Sequence, residues 1–386
     1  MPGSIHFEPI RLPPEAQALR AEVREFLRQE TARGTLATRS GPPRAEFNPE
    51  FSRRLGARGW IGMTWPRRYG GGERSFLDRY VVTEELRVAS APVALHFTAD
   101  RQSGPILLKY ASERIKADIL PRITRGECCF CIGMSEPDSG SDLFAAKARA
   151  LRTQGGWRVS GTKIWTTGAQ HAHYMIGLFR TSAPARENRR HGLTQLLVDM
   201  ASPGIAVHPI RDMSGQARFN EVVFDGLFVP DEHLLGDVDM AWKQATSELA
   251  YERSGPERFL ETAFVLFALV RLLGTAPDRH GAQGLGRLVA QLHTLRRMSL
   301  SVNGMLQAGR EPVLEASIVK DLGTVWEQAL PAKARELAAF VDARQAGRES
   351  FDELVRYAMT IAPKLTIQGG TTEVLRGIIA RGLGLR

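Results

Sequence analysis

The chain has 386 residues, 43% of them hydrophobic, enough to fill the cores of two or three structural units. Its 51 basic against 42 acidic residues give a formal net charge of +9. That charge is spread along the chain, and no compact basic run is interleaved with aromatics, which argues against a nucleic-acid binder; it suits a phosphate-rich ligand, or solubility alone.

From Pro13 the pattern turns helical, with Leu19, Val23, Phe26 and Leu27 on one stripe and charges opposite. Helical text continues to about residue 125, broken by the loop from Pro66 to Gly72. Cys128, Cys129 and Cys131 follow within one apolar stretch, and the chain has no other cysteine. They cannot build a disulfide framework, so a reducing compartment, a cytoplasmic location and buried strand positions are expected. The nearest histidines, His171 and His173, lie beyond a whole hairpin, so no metal site is expected.

Residues 126 to about 235 change period, with short alternating runs at Trp157–Val159, Leu193–Val198, Ile205–Ile210 and Val222–Val229. From about Met240 the text is helical again, apart from the glycine-rich patch at 281–286 and the pair Gly369-Gly370. The longest apolar helix candidate, Ala263 to Val270, stops at Arg271, far short of a membrane span, and no secretory leader is expected. Helices, a β block, then helices imply an α+β layout with domains at 1–125, 126–236 and 237–386. Gly284-Leu285-Gly286 lacks the third glycine of a dinucleotide fingerprint, and no Walker-type loop occurs, so nicotinamide and ATP enzymes of the usual types are disfavoured.

Residues 126–170 carry the sharpest signal. One β-rich run ends in Met134-Ser135-Glu136-Pro137, passes through Gly140-Ser141-Asp142, and a second closes on Trp165-Thr166-Thr167-Gly168. Hydroxyls and exposed backbone at strand ends can bond a polar heteroaromatic edge, and Trp165 offers a flat face to pack on it. An ordinary hairpin with a Ser/Gly turn would explain either half alone. Together the halves closely resemble the flavin-binding signature of the acyl-CoA dehydrogenase family. Further likeness lies in Trp60-Ile61-Gly62 with Tyr69-Gly70-Gly71, in Phe219 to Asp225 ending at Val229-Pro230, and in Gly369-Gly370-Thr371-Thr372-Glu373-Val374-Leu375-Arg376. It covers roughly residues 15–256 and 367–386.

The resemblance implies a helical N-terminal domain, a small central β-barrel and a C-terminal four-helix bundle. It implies FAD against Ile132, Met134, Ser135, Trp165 and Thr167, with Thr371 and Glu373 of the closing loop also on the cofactor. Ser141 maps onto a contact to the coenzyme A arm; Asp142 is expected to cap the following turn, and Glu136 to be structural. The family removes the α proton of an acyl-CoA with a carboxylate, while the β hydrogen leaves as hydride to the flavin. In most members that base is a glutamate in the closing loop, where this chain has Gly369. A minority, typified by isovaleryl-CoA dehydrogenase, carry it on a bundle helix before an arginine. Glu252, preceding Arg253, stands at that place, and Arg253 is assigned to bracing or to substrate. Gly369 keeps a backbone N–H for the thioester oxygen. A solvated helix glutamate paired with a nearby arginine is the plain alternative for Glu252.

The chain departs from the family at subunit interfaces. The arginine before a Phe-Gly pair is replaced by Ala282, with Arg279 out of register, and no Gly-Gly pair occurs between Ala332 and Pro363. Two assemblies follow: a homotetramer with Arg279 substituting, or a heterotetramer with a related chain, as in bacterial breakdown of steroid side chains. The leading function is α,β-desaturation of an acyl-CoA in fatty acid or steroid side-chain β-oxidation, with electrons passed to electron-transferring flavoprotein. The alternatives are a silent accessory subunit and a flavin oxidase or monooxygenase on the same fold.

Overall fold

The computed structural model describes residues 5–36, 47–184, 188–241, 244, 253 and 255–385. Its helices are α1 (Pro14–Ala32), α2 (Pro49–Ala57), α3 (Phe76–Val88), α4 (Ala94–Thr98), α5 (Gly104–Tyr110), α6 (Glu113–Thr124), α7 (Ala263–Leu273), α8 (Arg279–Gln307), α9 (Val313–Ala338), α10 (Arg348–Ile361) and α11 (Thr372–Gly382). Its strands are β1 (Phe130–Gly133), β2 (Arg149–Thr153), β3 (Gly156–Lys163), β4 (Tyr174–Arg180), β5 (Leu193–Asp199), β6 (Ile205–Arg211), β7 (Ala217–Pro230) and β8 (Leu234–Leu235). The α+β layout is as the change of period implies. The compact units cut across the consecutive segments: described residues of Met1–Glu46, Arg74–Pro92 and Ala250–Arg386 form one, those of Phe47–Glu73 and Val93–Leu249 the other.

In the helical unit, Pro14 at the first helical position sets the entry of α1, and Ala16, Leu19, Val23, Phe26 and Leu27 bury the stripe read from the sequence. Helix α7 buries Ala263, Val265, Leu266, Ala268, Leu269 and Leu272, spread over most of its circumference, and sits in the core. Buried Glu84 and Glu85 of α3 hold the unit's polar seam. Glu84 accepts from Arg296 (2.6 Å) and Arg20 (2.8 Å), and Glu85 from Arg24 (2.8 Å), joining α3 to α1 and α8. The glycine-rich patch at 281–286 is not a break. It is the first part of α8, capped by Asp278, whose Oδ1 accepts the Gly281 N–H at 2.7 Å. Gly284 is there for closeness: a Cβ on it would lie 2.2 Å from Leu337 of α9.

The second unit is built on one eight-stranded sheet of order β6-β7-β3-β2-β4-β5-β8, with β1 paired to β4 off that path. Strand β1 runs parallel to β4, from Phe130 opposite Tyr174 to Gly133 opposite Gly177, so residues 126–170 are not a simple hairpin. Side chains from β1 to β7 enter one apolar cluster that includes Cys131, Trp157, Val159, Phe179, Leu196, Val222 and Phe224. Strand β7 alternates, but β5 does not: Leu193–Val198 is buried on both faces, which is why it reads as a continuous apolar run. The three cysteines are buried, but only Cys131 is in a strand, Cys128 and Cys129 lying just before β1; burial pushes the Cys128 and Cys129 thiols up to about 12 and raises Cys131 as well. Such thiols are inert near neutral pH. No described helix is long and apolar enough to cross a membrane.

Strand β3 carries an irregularity between Val159 and Gly161, where its pairing with β7 shifts register. Gly161 has φ of 132°, and a Cβ there would meet the Ala148 Cα at 2.6 Å. A backbone atom cannot swing away as a side-chain tip can. Gly161→Ala should therefore cost about 2–3 kcal/mol of stability, through strain and overpacking together. An unchanged denaturation midpoint would show that this strand does not need the close approach.

Candidate active site

The candidate residues fall in both units. In the sheet unit, β1 leads through half-buried Ile132 into Met134 and Ser135. These two lie alongside the end of β3. Lys163 Nζ donates to the Met134 carbonyl at 3.3 Å, and Ile164 N–H donates to the Ser135 carbonyl at 2.9 Å. Beyond Ile164 the chain bends sharply, since Trp165 has φ of 59° and Gly168 φ of 65°. Thr166 still exchanges both backbone hydrogen bonds with Asn220 at 3.0 Å, which fixes the bend to β7. The result turns Trp165 and Thr167 outward. Trp165 is 58% exposed and rests edge-on against Phe219, with ring centroids 6.1 Å apart. A non-glycine residue in the left-handed region, holding a large aromatic in solvent, is a strained and unburied arrangement. The structure thus brings Met134, Ser135, Trp165 and Thr167 together on adjoining strand ends.

Ser141 is exposed in the turn that follows Ser139. Asp142 does not cap the turn Leu143–Ala145, contrary to expectation. Its carboxylate goes to Arg189 at 2.7 Å, and its carbonyl accepts the Ser139 hydroxyl at 2.7 Å. The longer reach to a surface guanidinium wins over the local backbone.

Two features of this unit went unread in the sequence. One is the buried pair Glu136–Lys163 at 2.7 Å; the signal was there, because Trp157, Val159 and Lys163 share one parity along β3. The other lies between α4 and α5, where Ala99–Ser103 winds as a π-helical turn packed near β1. It buries Asp100, which accepts the Gly62 N–H at 3.0 Å. Just before it, buried His96 bonds Ser52 Oγ through Nδ1 at 2.9 Å. Widened turns of this kind often accompany functional sites, but no periodicity announces them.

In the helical unit, Gly369 and Gly370 both adopt left-handed backbone, with φ of 66° and 99°. Thr371 caps α11, its Oγ1 accepting from Val374 N at 3.3 Å. Glu373 is exposed in the first turn; its own backbone N–H and the Thr371 hydroxyl hold its carboxyl below the usual range. Fully buried Lys320 of α9 donates to the Gly370 carbonyl at 2.9 Å. Arg253, 3% exposed, donates to Ser317 Oγ at 3.4 Å, and a Cβ on Gly370 would stand 3.3 Å from its Nη2. Arg253 and the closing-loop glycines are therefore neighbours. Glu252 lies outside the described residues. Glu327, also on α9 and fully buried, has its carboxyl raised by burial and by the nearby Glu261 charge. Glu261 in turn pairs with Lys364 at 2.7 Å.

Models of the acyl-CoA dehydrogenase N-terminal and middle domains match residues 13–127 and 131–227. Acyl-CoA dehydrogenase IpdE1 of Mycolicibacterium smegmatis is 30% identical over 96% of this chain and 98% of its own length. The chain belongs to the acyl-CoA dehydrogenase family, a family of oxidoreductases. Acyl-CoA dehydrogenase FadE34 of Mycobacterium tuberculosis is also 30% identical over 87% of this chain, which spans only 46% of that longer protein. Among solved structures, the Tcur3481-Tcur3483 steroid ACAD is similar with a TM-score of 0.82 and 26% identity, over 97% of this chain and 98% of that one. The ChsE4-ChsE5 complex of Mycobacterium tuberculosis is similar with a TM-score of 0.80 and 26% identity, over 98% of this chain and 100% of that one. The helical, sheet and helical order is that of the family fold.

Burial and the nearby Arg101 charge lower His96 from 6.5 to about 3, so it is neutral when folded. The unfolded chain takes up that proton near 6.5, and the folded one does not until far lower. Stability from this group is intact above the unfolded value and is lost as pH falls from 6.5 toward 3. His96→Gln, which stays neutral, should flatten the fall in melting temperature between about pH 6.5 and pH 4. Parallel profiles for parent and variant would mean that His96 protonates without penalty.

Proposed function

We propose that this chain binds FAD non-covalently and desaturates a bulky acyl-CoA at its α and β carbons, handing electrons to electron-transferring flavoprotein. The observation that carries the reading is the Trp165 bend: an exposed aromatic face and the Thr167 hydroxyl, set beside Met134 and Ser135 on adjoining strand ends. The residues suit the cofactor. They offer a flat apolar face and neutral hydroxyls; Glu136, the carboxylate next to Ser135, is buried and paired with Lys163, and the exposed Asp138 and Asp142 are paired with Lys147 and Arg189. Ile132, Met134, Ser135, Trp165 and Thr167 would hold the ring system, with Thr371 and Glu373 as further contacts. FAD, when bound, supplies the acceptor for the β hydrogen.

The chain's own contribution is acid–base and electrostatic. Glu252 takes the α proton, and the Gly369 N–H donates to the thioester oxygen as enolate charge develops there. Arg253 braces that region, in keeping with its burial against Gly370 and Ser317. Ser141, on an exposed turn, is the contact for the coenzyme A arm. The cytoplasm is the compartment proposed for it, in keeping with three cysteines that form no disulfide. A steroid enzyme and a two-protein complex among its structural relatives support a bulky substrate and a heterotetramer with a related chain. The exposed Arg279 at the start of α8 is the candidate substitute for the missing interface arginine in a homotetramer.

Trp165→Ala should weaken FAD retention markedly, because the large aromatic contact is lost. A variant with full FAD and an unchanged flavin spectrum would remove the wall from this stretch. Glu252→Gln keeps size but cannot accept the proton, so anaerobic flavin bleaching by a good substrate should slow by about 10²–10⁴-fold, while substrate binding survives. Near-normal bleaching would strike Glu252 from the mechanism. Co-expression with a homologous neighbour should give a mixed oligomer with about half as many flavins as chains, since only one site type is complete. A homotetramer that holds one tight FAD per chain refutes the heteromer.

A further inference from the structure

The least expected group beneath the Trp165 bend is an ammonium with no access to water. Lys163 is completely buried at the end of β3, and Glu136 is 7% exposed. Glu136 Oε1 accepts from Lys163 Nζ at 2.7 Å and from Ala148 N at 3.0 Å, while Oε2 accepts from Lys147 N at 2.6 Å. The Glu136 backbone is closed onto Ser139 by reciprocal bonds of 2.7 and 3.1 Å. Lys163 Nζ also donates to the Met134 carbonyl and lies 5.4 Å from the centre of the Phe179 ring. One ion pair therefore ties together the end of β1, the turn after it, the entry to β2 and the end of β3.

Stability is a poor reason for this arrangement. Taking two charges out of water costs about as much as their attraction returns, and apolar residues of similar volume often serve a core as well or better. The neighbours would accept such a replacement, since Lys163 shares its strand face with Trp157 and Val159 and approaches Phe179. What apolar residues cannot do is fix a carbonyl and two backbone N–H groups at set positions. Four of the five candidate wall residues hang within two residues of the pair or its fixed carbonyl, or are bonded to a neighbour of one: Ile132 two residues before Met134, Met134 directly, Ser135 through Ile164, and Trp165 two residues beyond Lys163; Thr167 follows two residues further along the bend.

We infer that Glu136 and Lys163 are the positioning pair of the flavin wall, setting the spacing and register of Met134–Ser135 against Ile164–Thr167. The inference rests on reading that stretch as the FAD face; the pair itself does not touch the cofactor.

The test compares the full chain with Lys163→Met and with the double variant Glu136→Gln, Lys163→Met. The single variant strands a buried carboxylate, and its melting temperature should drop. The double variant is neutral and keeps one acceptor oxygen, for either the Lys147 or the Ala148 N–H, so its melting temperature should recover part of the way toward the parent. FAD titrated into the chain should nevertheless bind on the order of tenfold or more weakly, as when an outer-shell partner is lost. Hydrogen exchange across residues 164–168 should quicken in the double variant. Recovered melting temperature with FAD affinity within about twofold of the parent, and unchanged exchange, would overturn the inference. Should the double variant not fold, Glu136→Gln alone, nearly isosteric, is read by the same two measurements, and parental values overturn it equally. Trp165→Ala in parallel separates the failures. Full FAD retention there sinks the wall; loss there with parental binding in the double variant sinks only the positioning role.

Discussion

A strand or loop that must present backbone to a ligand cannot spend all of that backbone on its own sheet or helix, and something else has to hold it still. Both units answer with a buried lysine on a backbone carbonyl: Lys163 on Met134 and Lys320 on Gly370. Each ammonium is fully buried, and each carbonyl lies next to a residue assigned to chemistry or cofactor. An N⁺–H···O=C bond inside a protein is stronger than the same bond in water, and it carries direction as well as energy. Sheet ladders and helix stripes can then be built for packing alone.

The packing follows that division. Strand β5 gives both faces to burial, and α7 is apolar around most of its surface, so neither is free to contribute a polar site. The residues proposed for the site, and buried polar groups such as Asp100, gather where regular pairing stops: the end of β1, the bend after β3, the π-helical turn before α5, and the two glycines before α11. Glycine serves two different needs in these places. Gly369 and Gly370 supply left-handed backbone, whereas Gly284 in mid-helix supplies proximity to Leu337.

That double use of glycine explains part of what the sequence concealed. The patch at 281–286 has the composition of a loop, yet tertiary closeness between α8 and α9 overrode propensity and made it helix. Periodicity exposed α1 and the succession of helix, strand and helix, because burial of a single face writes itself into spacing. The family-like segments put Met134, Ser135, Trp165 and Thr167 on one wall of strand ends, but they could not show the φ of Trp165, which is a property of the bend and not of the residue type. Asp142 illustrates the limit from the other side: a local rule named a cap, and a surface arginine 47 residues away took the carboxylate. Glu252 rests on resemblance throughout, since it lies outside the described residues.

The buried cysteines have a practical corollary. Cys128, Cys129 and Cys131 are all buried, and burial keeps their thiols protonated well past neutral pH. The thiolate is the species that attacks maleimides and iodoacetamides. A cysteine engineered onto an exposed position would therefore be the reactive thiol of the folded chain, without first removing the native three. A single fluorophore or spin label could then be placed beside Trp165 on the wild-type background, and the mobility of that bend followed in solution.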